Sequence, residues 1–170
     1  SNLLEAVLRL AFFVFYIWVI SFSKDVKRVY EYHGAEHKSI YAYENKMELT
    51  PENAKGFTTL HPRCGTSFLL IVMLISIIVF SCMDFILPVP ANGIERVIIK
   101  VVLRVILMPL IAGISYEIQR YSSNHLDKVW VRALAFPGLS LQRITTKEPD
   151  LLQLEVAIVA IKAALGENVE

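Results

Sequence analysis

Three long apolar stretches alternate with polar ones along this sequence. They cover residues 3–22, 67–87 and 94–116, and each is close to the ~20 residues with which a helix crosses the hydrocarbon core of a bilayer. Charges interrupt the first stretch only near its beginning, and the second has none before Asp84. The pattern therefore predicts a mostly α-helical integral membrane protein with about three transmembrane helices.

The third stretch carries a basic stripe, because residues four apart lie on the same face of a helix. The stripe consists of Arg96, Lys100 and Arg104. It fits a helix that returns through the membrane with its basic side against protein or lipid headgroups, or a helix that lies in the membrane interface. We favour the returning helix, since residues 105–115 are uncharged and the polar segment after them must reach solvent. A third interpretation, in which the stripe lines a path for an anionic substrate, is more specific and less favoured than these two.

The polar segment between the first two apolar stretches predicts two helices. One covers residues 25–44 and contains Gly34. A glycine inside a helix is unfavourable by roughly 1 kcal/mol relative to alanine, but it leaves room for the close approach of a neighbouring segment. Residues 50–52, Thr-Pro-Glu, fit the N-cap and first turn of a short helix that ends near Gly56.

The C-terminal part, residues 117–170, alternates between polar and apolar residues. Its pattern predicts a helix over 119–133, a turn at Pro137–Gly138, a loop over 140–150 and a final amphipathic helix over 149–165. The apolar residues of the final helix cover a broad face, so this helix is expected to pack against another segment or a protein partner.

Basic residues beside the apolar stretches predict the orientation in the membrane. The loop 23–66 and the tail after Tyr116 are rich in lysine and arginine, whereas the turn 88–93 has neither. We therefore place the loop and the tail in the cytoplasm and the turn outside. Antiparallel second and third helices would then bring Cys64, at the start of one, near Glu117, at the end of the other.

The chain is interpreted as one helical membrane domain over residues 1–170. Its parts are a transmembrane helix (1–22), a cytoplasmic loop (23–66), two further transmembrane helices (67–87 and 94–116) and a cytoplasmic tail (117–170). Hydrophobic residues make up 55 % of the chain and the formal net charge is +1, so the bilayer is the expected partner and no basic field favours nucleic acid. The opening Ser-Asn, followed at once by apolar residues, indicates a fragment of a longer chain.

The cytoplasmic loop contains the pattern H-x-x-E-H, the inverted form of a zinc-protease signature. His33 and His37 are four residues apart, so on a helix they can present two imidazoles to one metal ion. Glu36 lies at the edge of the same face, where it can activate a water molecule at the metal or support a ligand. This pattern predicts a metal site with Glu36 as the candidate catalytic base.

Three further residues are candidate metal ligands. His61 and Cys64 follow in the same loop, three residues apart, and the predicted topology brings Glu117 to the same side of the membrane. A cysteine ligand favours zinc over iron or manganese because thiolate is a soft ligand. Without these neighbours, histidine and glutamate on an interfacial helix are often only solvated side chains.

The same side chains allow two kinds of metal site. A closed site would use both histidines of the H-x-x-E-H pattern together with His61 and Cys64, and four protein ligands are typical of structural zinc. An open site would keep three protein ligands and a water molecule, with Glu36 nearby, and is typical of catalysis. The sequence leaves both open.

Several segments resemble one bacterial family, the YqhQ-like domain of unknown function. These segments are 32–38 (Tyr-His-Gly-Ala-Glu-His-Lys), 61–68 (His-Pro-Arg-Cys-Gly-Thr-Ser-Phe), 137–139, 142–149 and 153–157. The resemblance covers nearly the whole chain. It implies a metal-dependent protein that passes several times through the bacterial inner (plasma) membrane.

The resemblance also implies a metal site at His33 and His37, with His61 and Cys64 as further candidates, and gives no substrate. Family members carry an N-terminal glycine-rich region that is missing from this sequence.

Two functions follow as hypotheses. The first is a zinc-dependent membrane hydrolase with its site at the cytoplasmic face, acting on a peptide or a lipid-derived substrate. The second is a membrane scaffold with a structural zinc site, which binds a protein partner through its cytoplasmic tail. A transporter or channel is a weaker third hypothesis, because the second apolar stretch has no ionisable residue before Asp84.

Overall fold

The computed structural model describes residues 2–86 and 93–167, and every regular element within these ranges is a helix. The predicted mostly α-helical class is therefore confirmed. The helices are α1 (Asn2–Ile20), α2 (Lys24–Glu44), α3 (Pro51–Lys55), α4 (Gly65–Ile86), α5 (Ile94–Asn124), α6 (Val129–Thr145) and α7 (Leu151–Ala164).

Two helices, α4 and α5, are long and apolar enough to cross a membrane. A third crossing is reached only if α1 and α2, which meet at a bend of 100°, are counted as one broken span. Large apolar side chains such as Phe12, Ile78 and Ile106 point outward, with exposed fractions of 70 %, 62 % and 64 %. Apolar outer surfaces of this kind are compatible with a membrane protein.

The sequence located several helix boundaries correctly. Helix α2 begins one residue before its predicted start and ends at the predicted Glu44. Thr50 caps the short helix α3 by accepting a hydrogen bond from the Asn53 amide, and Pro51 is its first residue. The final helix is also present, with Asp150 as its N-cap.

Four boundary predictions were wrong. The helix predicted over 119–133 is interrupted between Asn124, where α5 ends, and Val129, where α6 begins. Helix α5 continues eight residues beyond Tyr116, to Asn124, because the polar residues there mark the end of the apolar surface and not the end of the helix. The predicted turn at Pro137–Gly138 lies inside α6, and the predicted loop from 140 is helical to Thr145. The turn predicted for residues 88–93 lies outside the described residues except for Gly93.

Packing explains why α6 continues through its proline and glycine. A proline inside a helix removes one backbone hydrogen bond but need only kink the helix. A Cβ atom added at Gly138 would lie 2.9 Å from the side chain of Ser67. The glycine therefore permits a close contact between α6 and α4, and this contact outweighs the local preference for a turn.

The chain forms two compact units, Ser1–Val14 with Pro62–Gly138, and Phe15–His61 with Leu139–Glu170. In the first unit, α4 and α5 pack side by side. The Arg104 guanidinium of α5 lies 5.2 Å from the ring centroid of Phe80 on α4, so the basic stripe of α5 faces α4.

In the second unit, α2 packs against α3 and α7. The buried apolar side chains of this core are Ala35, Ala42, Ala54, Leu154 and Ile158. The alanines of α2 are small enough for α7 to approach closely, and the Gln153 side chain of α7 donates a hydrogen bond of 2.9 Å to Glu31 of α2. One face of α2 is thus covered by helices, and its other face is left for the histidines.

Helix α7 depends on a reciprocal cap. The Asp150 carboxylate accepts a hydrogen bond of 2.8 Å from the Gln153 amide, and the Gln153 side chain accepts one of 2.9 Å from the Asp150 amide. We expect Asp150→Ala to lower the free energy of unfolding by about 1 kcal/mol, as losses of N-caps typically do. Asp150→Asn keeps an acceptor and should stay within a few tenths of a kcal/mol. Thermal unfolding in detergent, followed by circular dichroism, checks this, and equal melting of the two variants would contradict it.

Candidate metal centre

The residues of the H-x-x-E-H pattern lie on one helix, as predicted. His33 and His37 of α2 are neighbours on one face, with ring centroids 4.4 Å apart. Tyr41, one further turn along, continues the row and lies 4.7 Å from the ring of His61. The four-residue spacing thus produces a line of aromatic and imidazole rings along α2.

Backbone carbonyls orient both imidazoles. The Nδ1 atom of His33 lies 2.8 Å from the Thr145 carbonyl oxygen, and the Nδ1 atom of His37 lies 2.5 Å from that of Thr59. Because a carbonyl oxygen can only accept, each Nδ1 must donate a proton. In the neutral ring the lone pair is then on Nε2, which is the usual arrangement when a histidine binds a metal.

The two carbonyls belong to segments that lie along α2. The first segment, residues 57–61, contains the Thr59 carbonyl. Its Leu60 carbonyl accepts a hydrogen bond of 3.1 Å from the Tyr41 hydroxyl. The second segment starts at Thr145, the last residue of α6. It is held by a hydrogen bond of 2.9 Å from the Lys147 amide to the Tyr30 carbonyl. Gln142, which is fully buried, joins the segments because its amide both accepts from the His61 N–H and donates to the His61 carbonyl.

A buried lysine fixes the second segment further. Lys38 of α2 is only 3 % exposed, and its ammonium group contacts the Glu148 carboxylate and donates to the Lys55 carbonyl. A buried ammonium group without such partners would be costly. Lys38 therefore ties α2 to both α3 and the segment that carries Thr145.

Cys64 is buried immediately before α4. Its sulfur lies 3.1 Å from the Thr66 hydroxyl, and its carbonyl oxygen accepts a hydrogen bond of 2.8 Å from the Gln119 side chain. The ligand atoms of His33, His37 and Cys64 all lie within 4.8 Å of one another. This cluster could hold a metal ion.

The donor set fits a borderline-soft metal ion. Two imidazole nitrogens and one thiolate are ligands that zinc accepts readily. Tetrahedral bonds of about 2.0 Å to nitrogen and 2.3 Å to sulfur place ligand atoms roughly 3.3–3.7 Å apart, so separations of up to 4.8 Å need only small side-chain rotations.

Among the described residues, the metal-ligand group contains only His33, His37 and Cys64. The other predicted site residues, His61, Glu117 and Glu36, do not belong to it. The ring of His61 lies 5.6 Å from that of His37, and its Nε2 lies 3.5 Å from a carboxylate oxygen of Glu44. Glu117 is exposed, and its carboxylate lies 3.8 Å from the Arg120 guanidinium. Glu36 is exposed on α2. The roles assigned to these three residues stay predictions.

Sequence reasoning missed the residues that support the ligands. The Thr59 and Thr145 oxygens that orient the imidazoles belong to the backbone, so no side-chain pattern marks them. Gln119 and Gln142 act on backbone groups of Cys64 and His61. The one signal that could have pointed to them is that a glutamine on a buried helix face must find partners for its amide.

Comparisons with known proteins bear on the family of this chain. The family model "Protein of unknown function (DUF1385)" matches residues 1–167. The chain is 37 % identical over 162 residues to "Uncharacterized protein YqhQ" of Bacillus subtilis (strain 168), an alignment that covers 95 % of this chain and 48 % of that protein. The chain thus spans about half the length of the curated relative that it matches. No solved structure matches it. Matched over almost its full length, the chain belongs to the DUF1385 family, to which the resemblance in its histidine and cysteine segments had pointed.

Proposed function

We propose that this protein is a zinc-dependent hydrolase that works at a membrane surface. The observation that carries the proposal is the cluster of His33, His37 and Cys64, with both imidazoles oriented by backbone carbonyls. Three protein ligands leave a tetrahedral metal one position for water or substrate, which is the arrangement of catalytic zinc. Structural zinc, in contrast, has four protein ligands.

The residues of the chain have separate tasks in this proposal. His33 and His37 would hold the metal through Nε2, and Cys64 would hold it through its sulfur, while the Thr145 and Thr59 carbonyls keep the rings in the required orientation. When bound, the metal supplies Lewis-acid polarisation and makes water more acidic. Glu36, next to His37 and three residues after His33, would take up the proton of the attacking water on its carboxylate. Because Glu36 is exposed, the general base is open to substrate from the solvent side.

The setting of the site suggests its substrates. Helix α4 starts one residue after Cys64 and is apolar enough to enter a membrane, so the cluster would lie at the membrane surface. A peptide or a lipid-derived ester reaches such a position easily. The distribution of lysine and arginine supports a site on the cytoplasmic side of a bacterial plasma membrane with several crossings, and the tail after Tyr116 is the surface proposed for a protein partner.

A specific observation favours the alternative, a structural site in a membrane scaffold. His61 lies 5.6 Å from His37 between ring centroids, so a modest movement would make it a fourth ligand. The metal would then fasten the 57–61 segment to α2 and would have no position for substrate.

The deciding experiment measures zinc and activity together on the protein purified in detergent without chelators. We expect close to one zinc per chain in the wild type and in His61→Ala. The wild type should hydrolyse p-nitrophenyl esters, and Glu36→Gln should lose at least ~100-fold of this activity while keeping its zinc, since general bases typically contribute 10²–10⁴-fold.

Glu155→Gln is the matched control, because Glu155 is also exposed on a helix but lies on α7. Its activity should equal that of the wild type. Loss of zinc in His61→Ala would favour the structural site. A wild type that contains zinc but shows equal hydrolysis before and after chelation would contradict the hydrolase.

A further inference from the structure

The first half of α6, which belongs to the first unit, carries an exposed apolar surface. The exposed fractions lie between 53 % and 73 % for Val129, Trp130, Leu134 and Phe136. These four residues are called the exposed α6 face below. Val131, between them in the sequence, is fully buried, so this part of the helix has one side in the protein and an apolar side outside it. Such a surface marks a contact with a membrane or with another protein.

The exposed α6 face lies beside a helix that is long and apolar enough to cross a membrane. Helix α6 starts five residues after the end of α5. The Trp130 ring stacks on the ring of Tyr121 of α5, with centroids 6.0 Å apart. Trp130 and Leu134 also line a largely apolar groove, whose other side runs along α5 from Pro109 to Ser122. Helix α6 thus turns back along α5 toward its apolar part.

The residue types around this face are those of a membrane interface. Tryptophan and tyrosine, here Trp130 and Tyr121, are enriched where bilayer and water meet. Lys128 precedes α6 and donates a hydrogen bond of 3.4 Å to the Tyr121 hydroxyl, and Arg132 is exposed three residues after Val129. Long basic side chains can keep their stems on an apolar surface while their charged ends reach phosphate groups.

We propose that the first half of α6 lies in the membrane interface and binds bilayer phospholipid. The exposed α6 face enters the boundary between headgroups and acyl chains, and Lys128 and Arg132 lie against lipid phosphates. The groove between α6 and α5 takes the first part of an acyl chain. Helix α6 has 17 residues, fewer than the ~20 of a crossing helix, and an amphipathic helix of this kind lies in the plane of the interface. Part of the tail predicted to be cytoplasmic is thereby held at the membrane surface.

The depth of Trp130 in a bilayer tests this proposal. The chain has two tryptophans, so Trp18→Phe leaves Trp130 as the source of tryptophan emission. We would reconstitute this variant of the whole chain into vesicles of phosphatidylcholine and phosphatidylglycerol, with lipids brominated near the headgroup (carbons 6 and 7) or deeper (carbons 11 and 12). The shallow bromines should quench the emission at least ~twofold more strongly, because an interfacial helix lies about 5–10 Å into the headgroup and acyl boundary. If Trp18→Phe does not fold, the difference between the wild type and Trp130→Phe gives the same signal.

Tyr43→Trp, made in a chain that lacks both natural tryptophans, is the matched control. Tyr43 is also an exposed aromatic residue, with an exposed fraction of 49 %, but it lies on the polar helix α2. Its replacement should be quenched by aqueous acrylamide and should respond to neither brominated lipid.

Lys128→Glu, Arg132→Glu tests the contact with phosphate. In vesicles that contain phosphatidylglycerol, this double variant should reduce the quenching of Trp130 by the shallow bromines at least ~twofold, since each basic side chain near an anionic surface contributes about fivefold to binding. The loss should be smaller in vesicles of phosphatidylcholine alone, which carry no net charge. Unchanged quenching in both kinds of vesicle would contradict the contact.

Three results for Trp130 would overturn the proposal. Strong quenching by acrylamide without a response to brominated lipid would place α6 in water. Protection from both quenchers would show that protein, a partner or a second copy of the chain, covers the exposed α6 face. Stronger quenching by the deeper bromines would show that α6 enters the hydrocarbon core and does not lie in the interface.

Discussion

His37→Ala should reduce the zinc content of the purified protein from close to one per chain to below one tenth. The binding free energy of zinc in zinc-finger peptides is about 10–16 kcal/mol. These peptides supply four ligands, so each ligand contributes roughly 2.5–4 kcal/mol on average. That is a loss of about 100- to 1000-fold in affinity. Elemental mass spectrometry after purification without chelators measures it. Cys64→Ala should lose the metal to a similar extent, because its sulfur belongs to the same cluster.

His125→Ala is the matched control for the loss of an imidazole. His125 follows α5, where its Nδ1 donates to the Tyr121 carbonyl and its ring stacks on that of Tyr121. This variant should keep its zinc. Retention of the metal in His37→Ala, or no metal in the wild type, would contradict the metal centre. Retention in Cys64→Ala alone would leave a site built from histidines.

The half of the metal centre that lies on α2 could be predicted from the sequence because its determinants are local. A spacing of four residues puts His33 and His37 on one face of any helix, and the charged and polar residues around them made that helix easy to recognise. The structure adds that α3 and α7 cover another face of α2, so the histidine face is left to the loop segments.

The supporting half could not be predicted, because it depends on contacts between residues far apart in the sequence. Thr145 and Lys147 reach α2 from more than a hundred residues away. The region they come from was expected to be a turn and a loop, whereas α6 continues through Pro137 to Thr145. Tertiary packing outweighed the local signals there, as it commonly does.

Helix register explains the difference between the predicted and observed surroundings of Cys64. The predicted antiparallel arrangement directed attention to the second half of α5, where a carboxylate at Glu117 was the natural candidate for a ligand. The structure exposes Glu117 and buries Gln119, whose side chain donates to the Cys64 carbonyl. Two residues along a helix correspond to a rotation of about 200°, and this rotation cannot be read from the composition of an apolar stretch.

Gly34→Ala should destabilise the second unit by about 2 kcal/mol or more. A Cβ atom at this position would lie 2.0 Å from the Lys147 carbonyl oxygen and 3.2 Å from Thr59. The obstacle is backbone, and it is held by the Lys147–Tyr30 hydrogen bond and by the contact of Lys38 with Glu148. Overpacking typically costs about 1–3 kcal/mol, and we expect a cost at the upper end of this range because the obstacle is backbone. The higher helix propensity of alanine offsets at most ~1 kcal/mol of this cost.

Gly113→Ala separates this clash from the general effect of replacing a helical glycine. Gly113 lies inside α5 with nothing within 4 Å of an added Cβ, so this variant should be neutral or slightly more stable. In a chain of 170 residues, a loss of 2 kcal/mol lowers the melting temperature by about 4–8 °C, which circular dichroism in detergent detects. Gly34→Ala should also bind zinc more weakly, because a displaced 145–147 segment no longer orients His33. Equal melting temperatures of the two glycine variants would show that Lys147 does not pack against α2 as described. They would also contradict the orientation of His33 by the Thr145 carbonyl.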